Sequence, residues 1–286
     1  MDEQLQAWHA AGDWFDFRGW RIFCRADGSN DPPLLLIHGF PTASWDWHAV
    51  WEQLAGEYRL ITLDLLGFGF SAKPRGHAYS IFEQADLIEA LLDRCGVSRV
   101  DVVAHDYGVT VVQELLARHN EGQLPVQLES ICFLNGGLIP GAHRPLLIQK
   151  LLAGPLGPLL ARLVTKAAFR RNFDRILARD PGSAEIDRLW TLVNHNDGRA
   201  IMHRLIRYMA ERDTHAERWV GALGRTEIPL ALINGTLDPI SGGHVVEPFV
   251  AAAPGAKIFA LADVGHYPQL EAPAEVLAAL RSFLSP

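Results

Sequence analysis

Short apolar runs, separated by turn signals and helical stretches, limit what this chain can fold into more than any other feature. Leu34 to Ile37, Leu60 to Leu63 and Val100 to Ala104 are each followed by Gly, Asp or Pro signals. Such runs read as strands buried on both faces. Between them, Ile81 to Asp93 repeats Ile81, Ala85, Ile88 and Leu92 at spacings of three and four, the period of a helix with one apolar face. Strands alternating with helices require a mostly parallel sheet covered on both sides. The pattern resumes at Leu128 to Leu134, Pro229 to Ile233 and Ala256 to Ala260, while a helix-rich block interrupts it in between. The predicted architecture is therefore α/β: a doubly wound, mostly parallel sheet built from residues 1–137 and 223–286, with 138–222 inserted as a helical cap.

Composition narrows the class. In 286 residues, 49% apolar and 21% charged, the balance is that of an ordinary globular protein, which excludes disordered, collagen-like and disulfide-scaffold chains. A net charge of −7 argues against a nucleic-acid partner. Cys24, Cys95 and Cys132 are odd in number and unclustered, against both a disulfide framework and a zinc site. The acidic start lacks the basic and apolar segments of a signal peptide, and the longest uncharged apolar stretch, Leu151 to Ala161, is too short to span a bilayer. These features predict a cytoplasmic protein with no transmembrane segment. Charge is unevenly spread: residues 141–220 hold 14 Lys and Arg against 8 Asp and Glu, so this segment is +6 and the remainder −13. Solvated Arg-rich helix faces account for that, as does an approach for anionic substrates or a membrane surface.

Chemistry concentrates after the run ending at Ala104. His105-Asp106-Tyr107-Gly108 leads into an apolar helical stretch, giving strand, sharp turn and helix. Such a turn presents a nucleophile at the top of a sheet and needs small residues two before and two after it; Ala104 and Gly108 qualify. The residue at the apex is Asp106. A carboxylate attacking an ester or amide gives a high-energy anhydride, whereas attack on a saturated carbon bearing a leaving group gives a stable alkyl ester. Asp106 thus points to an sp3 electrophile, unless it merely caps the following helix.

Two further residues fit the first reading. Asp238 follows the run Pro229 to Ile233, and His266 follows the next strand, in the order nucleophile, acid, base. Each alone has a bland reading, as a turn former or a structural histidine. After Leu34 to Ile37, the segment His38-Gly39-Phe40-Pro41 supplies a backbone N–H at Phe40, which with that of Tyr107 forms a candidate oxyanion hole. His38 is expected to orient this loop.

With these residues in place, the chain resembles the α/β-hydrolase superfamily, in its aspartate-nucleophile branch of epoxide hydrolases and haloalkane dehalogenases. Phe40 in HGFP is the epoxide hydrolase form. Dehalogenases of the branch usually carry Asn at that position and Trp after the nucleophile, where this chain has Phe40 and Tyr107. Fluoroacetate dehalogenases typically follow the nucleophile with Arg. A closer resemblance, to the mesoderm-specific transcript family, runs along nearly the whole chain: HGFPT at 38–42 with Asp46-Trp47, LGFGFS at 66–71, YSIFEQ at 79–84, AHDYG at 104–108, NGG at 135–137, HRPLL at 143–147, NDG at 196–198, RWVGAL at 218–223 and HYPQLE at 266–271.

The resemblance implies Asp106 as nucleophile, His266 as the base that activates water, and Asp238 as the acid orienting it; Asn135, where some relatives carry the acid, is not a carboxylate. It implies no metal and no organic cofactor. The expected partners are a small apolar electrophile and water, and the expected reaction is epoxide hydrolysis to a diol. Haloalkane dehalogenation and a non-catalytic ligand-binding role are the alternatives. Epoxide hydrolases generally open the ring with two cap tyrosines, and the block here has one, Tyr208, which reads equally as an aromatic packed on a helix. Trp45, Trp47, Trp190 and Trp219 are the candidates to line an apolar substrate pocket.

Overall fold

The structure is a computed structural model that describes residues 1–284. Its strands are β1 (Asp13–Phe17), β2 (Trp20–Asp27), β3 (Leu34–Ile37), β4 (Leu60–Leu63), β5 (Arg99–His105), β6 (Gln127–Leu134), β7 (Leu230–Gly235) and β8 (Lys257–Leu261). They form one sheet in the order β1-β2-β4-β3-β5-β6-β7-β8. All pairings from β4 to β8 are parallel. Every residue of β3 and β4 is buried, as strands covered on both faces require. The chain's reversal between β3 and β4 on one side and β5 to β8 on the other leaves the carboxyl ends of β3 and β5 adjacent, where open α/β sheets bind their ligands.

Two strands precede the predicted set. β1 and β2 pair antiparallel, and β2 pairs antiparallel with β4. The register Phe17↔Trp20 leaves Arg18 and Gly19 as a two-residue turn, both at positive φ (53° and 84°), the conformation a tight hairpin demands. The helix Ile81–Arg94 starts where Ser80 accepts from the Glu83 amide, and it buries Ile81, Ala85, Ile88 and Leu92.

Helices between Leu147 and Thr214 occupy the block read from sequence as an inserted cap. The helix Ala216–Arg225 straddles position 222, where that block was read to end. Trp219 Nε1 donates to Glu114 at 2.8 Å, Arg218 Nε pairs with the same carboxylate at 2.7 Å, and Asn120 Nδ2 donates to the Ala222 carbonyl at 3.0 Å, so this helix is fastened to Tyr107–Asn120 in the body. Leu147, Leu151, Leu156, Leu159 and Leu163 of the cap are exposed. Among the described residues no helix is long and apolar enough to cross a membrane.

Candidate active site

Asp106 links β5 to the helix Tyr107–Asn120 with φ 47° and ψ −104°, a region that costs a non-glycine residue on the order of 1–3 kcal/mol. Close packing makes the turn possible. Ala104 is fully buried, and a Cβ on Gly108 would stand 2.8 Å from the carbonyl oxygens of Ile37 and His38. Although Asp106 occupies the N-cap position, its side chain caps no helix amide. Its Oδ1 instead accepts the Phe40 N–H at 2.8 Å. The capping alternative therefore does not describe this carboxylate.

His266 faces Asp106 from the loop after β8, with Nε2 3.5 Å from Oδ2. On its other side Nδ1 donates to Asp238 Oδ2 at 2.7 Å. Asp238 is held in turn by the Ser241 hydroxyl (2.7 Å), the Ser241 amide (3.0 Å), the Ile240 amide (2.7 Å) and Asn135 Nδ2 (3.0 Å). Asn135, noted from sequence only as a position unable to act as the acid, is thus a brace for it. Burial opposes charge on all three groups. The charge and hydrogen bond of His266 nevertheless hold Asp238 well below the usual carboxylate range, and His266 with the Phe40 amide also holds Asp106 low. For His266 the two carboxylates outweigh burial and raise the imidazole to about 10. All three shifts run in the direction that favours an imidazolium between two carboxylates.

The loop carrying His266 is fixed from both sides. His105 Nε2 donates to the His266 carbonyl at 2.7 Å, and the His266 amide donates to Ile176 in the cap at 2.8 Å. Glu271 accepts from the amides of Gly265, Tyr267, Ala178 and Arg179 at 2.7–2.9 Å, joining the loop to the end of a cap helix. His38 orients its own loop: Nδ1 donates to the Gly39 carbonyl at 2.8 Å, and Nε2 accepts the Leu65 amide at 3.0 Å.

An apolar cleft opens beside the triad, walled by His266, Phe40, Leu146, Leu152, Phe173 and Ile240 among others. Tyr107 opens its helix, so its N–H has no partner within the helix. Tyr208 is buried outside the cleft wall, its ring centroid 4.6 Å from that of Tyr107. Burial and then the Asp106 charge raise its phenol well above the usual range, and no hydrogen bond lowers it. None of the four tryptophans named from sequence is on this cleft. Trp45 donates to Glu185 at 2.6 Å and stacks on His48 at 4.0 Å; Trp47 is fully buried; Trp190 packs on Phe169 at 5.3 Å within the cap; and Trp219 is tied to Glu114 in the body.

Comparison with known proteins agrees with this fold. A family profile described as the alpha/beta hydrolase fold matches residues 32–273. The mesoderm-specific transcript homolog protein of Bos taurus is 40% identical over 298 residues, covering 100% of this chain and 89% of that protein. Among solved structures, the epoxide hydrolase CorEH superposes with a TM-score of 0.80 at 20% identity, covering 96% of this chain and 98% of the other. The haloalkane dehalogenase DbeA of Bradyrhizobium elkani gives 0.77 at 22% identity, covering 95% and 97%. At such identities these two likenesses speak for the fold alone. The chain therefore belongs to the α/β-hydrolase family, as one of its mesoderm-specific transcript members.

Proposed function

We propose that this hydrolase acts through a covalent ester on Asp106 and that its substrate is an epoxide, opened to a vicinal diol. The observation that carries this reading is the division of labour on one carboxylate: Oδ1 is held by the Phe40 amide, while Oδ2 faces His266 Nε2 at 3.5 Å. Oδ2 is then the attacking atom, and Oδ1 is the oxygen on which charge collects when the ester is later hydrolysed. An amide already aimed at that oxygen is worth about 2.7–4 kcal/mol of barrier.

Proton balance follows from the charges. Attack of Oδ2 on an epoxide carbon breaks the C–O bond and leaves an alkoxide, which needs a proton. Tyr208 is the donor assigned here, a buried phenol that senses the Asp106 charge. Esterification removes that charge, so Tyr208 becomes more acidic and His266 loses one of the two carboxylates that held its proton. The proton released by His266 balances the one taken by the alkoxide. Neutral His266 then accepts a proton from water, and the hydroxide attacks Asp106 Cγ. Collapse expels the diol alkoxide, which takes the proton of the newly formed carboxylic acid. Asp106 ends as a carboxylate and His266 as an imidazolium, as they began.

The test is the intact mass of His266→Ala after incubation with a mixed pool of epoxides and haloalkanes. Without the base the ester is trapped, and an epoxide adds its whole mass. An adduct lighter by hydrogen halide indicates dehalogenation instead. No adduct from either class removes the covalent mechanism for these electrophiles.

A further inference from the structure

Helix Tyr208–Thr214 holds a buried cation, Arg212, that makes no ion pair among the described residues. Arg212 is 2% exposed, and its one hydrogen bond to a side chain among the described residues runs from Nη2 to Nε2 of His143 at 3.1 Å. Its Nε is buried with no acceptor, and its Cζ lies 5.0 Å from the centroid of the Tyr208 ring. If His143 Nε2 accepts from Arg212, the proton of the neutral imidazole is on Nδ1, and Nδ1 too is buried without a partner. Burial and the neighbouring guanidinium push His143 down to about 4, so the ring stays neutral. Two N–H donors from two separate segments are buried with no acceptor among the described residues.

The immediate neighbours do not supply the missing charge. Glu211, next along the helix, accepts the Ile81 amide at 2.7 Å. Tyr208 offers only its ring face. Buried charges in folded proteins are paired, and a guanidinium does not escape by losing its proton. Backbone room has been made for this one, because a Cβ on Gly137 would overlap Arg212 Nη1. The surroundings are those of the reaction: Tyr208 and His143 both feel the charge of Asp106, and Gly137 lies two residues from Asn135, which braces Asp238.

We propose that Arg212 and His143 form a subsite for a carboxylate borne by the substrate, so that the electrophile is an epoxide with an acid group and an apolar body. This rests on the covalent reading above and deepens it. The planar guanidinium presents parallel N–H groups that match the two oxygens of a carboxylate. An anion brought toward Asp106 is repelled by its charge, and Arg212 offsets that repulsion. The apolar body of the substrate has the cleft on the His266 side to occupy.

Binding without turnover is tested first, by isothermal titration of sodium hexanoate and of its neutral counterpart hexanamide. Wild type is expected to bind hexanoate at least tenfold more tightly than hexanamide. Arg212→Met should erase that difference, and Arg212→Lys should retain part of it. Having lost an uncompensated buried charge, Arg212→Met should melt no lower than wild type without ligand, and should lose the rise in Tm that hexanoate gives wild type. Equal affinities for the two ligands in wild type, or hexanoate affinity kept in Arg212→Met, overturns the subsite. Should that variant fail to fold, His143→Phe removes the second donor, and an unchanged hexanoate affinity there overturns it equally. Turnover then separates the two readings. Neutral 1,2-epoxyhexane hydrolysed as well as 2,3-epoxyhexanoate removes the subsite and leaves epoxide hydrolysis standing. Arg212-dependent binding of hexanoate with neither epoxide hydrolysed removes the epoxide and leaves the subsite.

Discussion

In the body of the molecule the reacting groups have their hydrogen-bonding capacity largely committed; in the cap, the groups that face them do not. Asp238 accepts from His266, Ser241, Ile240 and Asn135, and Asp106 is held by Phe40 and His266. Arg212 Nε and His143 Nδ1, in contrast, are buried without partners, and nothing hydrogen-bonds the Tyr208 phenol strongly enough to lower it. Preorganised groups act on every turnover, so they belong on rigid strand ends. Groups with capacity left over are suited to a partner that comes and goes. Under the mechanism proposed above, the chemical step belongs to the body and the choice of substrate to the inserted block.

The sharpest break of that contrast is at Asp106. Asp106→Ala should lower turnover by about 10⁴-fold or more, as loss of a nucleophile does elsewhere. Folding should survive, because no helix amide depends on the side chain and the backbone there is already strained. Circular dichroism and steady-state rates on the purified variant check both halves. Retained hydrolysis in a folded variant would remove the ester.

A cap residue should give a smaller and selective effect. Tyr208→Phe is expected to slow epoxide opening by roughly 10²–10⁴-fold, the usual worth of a positioned acid, while release of halide from a bromoalkane stays near the wild-type rate. Equal losses on both substrates would show that the ring is needed for packing and not for its proton.

The pH profile separates the regions again. Because the carboxylates raise His266 to about 10, the imidazolium that supplies the proton for ring opening is present through neutral pH and is lost as pH rises through about 10. kcat/KM for an epoxide should therefore fall on the alkaline side near that value, far above the 6.5 of a free imidazole. A haloalkane, whose first step consumes no proton, should lack that limb. An alkaline limb for both would show that the fall does not come from the proton supplied for ring opening, and would remove that role of the imidazolium.

How legible this was in the sequence differs by region for the same physical reason. β3 to β8 and the order Asp106, Asp238, His266 could be read locally, because buried parallel strands are apolar runs and each reacting group follows one. β1 and β2 were missed: in DWFDF only alternate residues turn inward, a short signal that an edge hairpin shares with a loop. The surroundings of the tryptophans could not be read because residue type does not say which neighbour a ring meets; Glu185 for Trp45 and Glu114 for Trp219 lie more than a hundred positions away. Packing of Ala216–Arg225 against Glu114 was equally beyond a local reading, since the two lie about a hundred positions apart in the sequence. Arg212 passed as one of many basic residues, its burial and missing partner being properties of three dimensions alone.

Stability should divide along the same line with the smallest effects of all. Leu35 in β3 is fully buried, so Leu35→Ala leaves a cavity in close-packed surroundings and should cost about 2–5 kcal/mol. Leu159 in the cap is 58% exposed, and Leu159→Ala should stay within about 0.5 kcal/mol. Both are the same chemical change, so denaturant midpoints measured under one condition isolate the surroundings from the side chain. A cost above about 1 kcal/mol at Leu159 would mean that this face is covered in solution, since an exposed leucine has little apolar contact to lose. The cap would then no longer be the loosely committed half of the molecule, and its open leucines would have to be counted with the core.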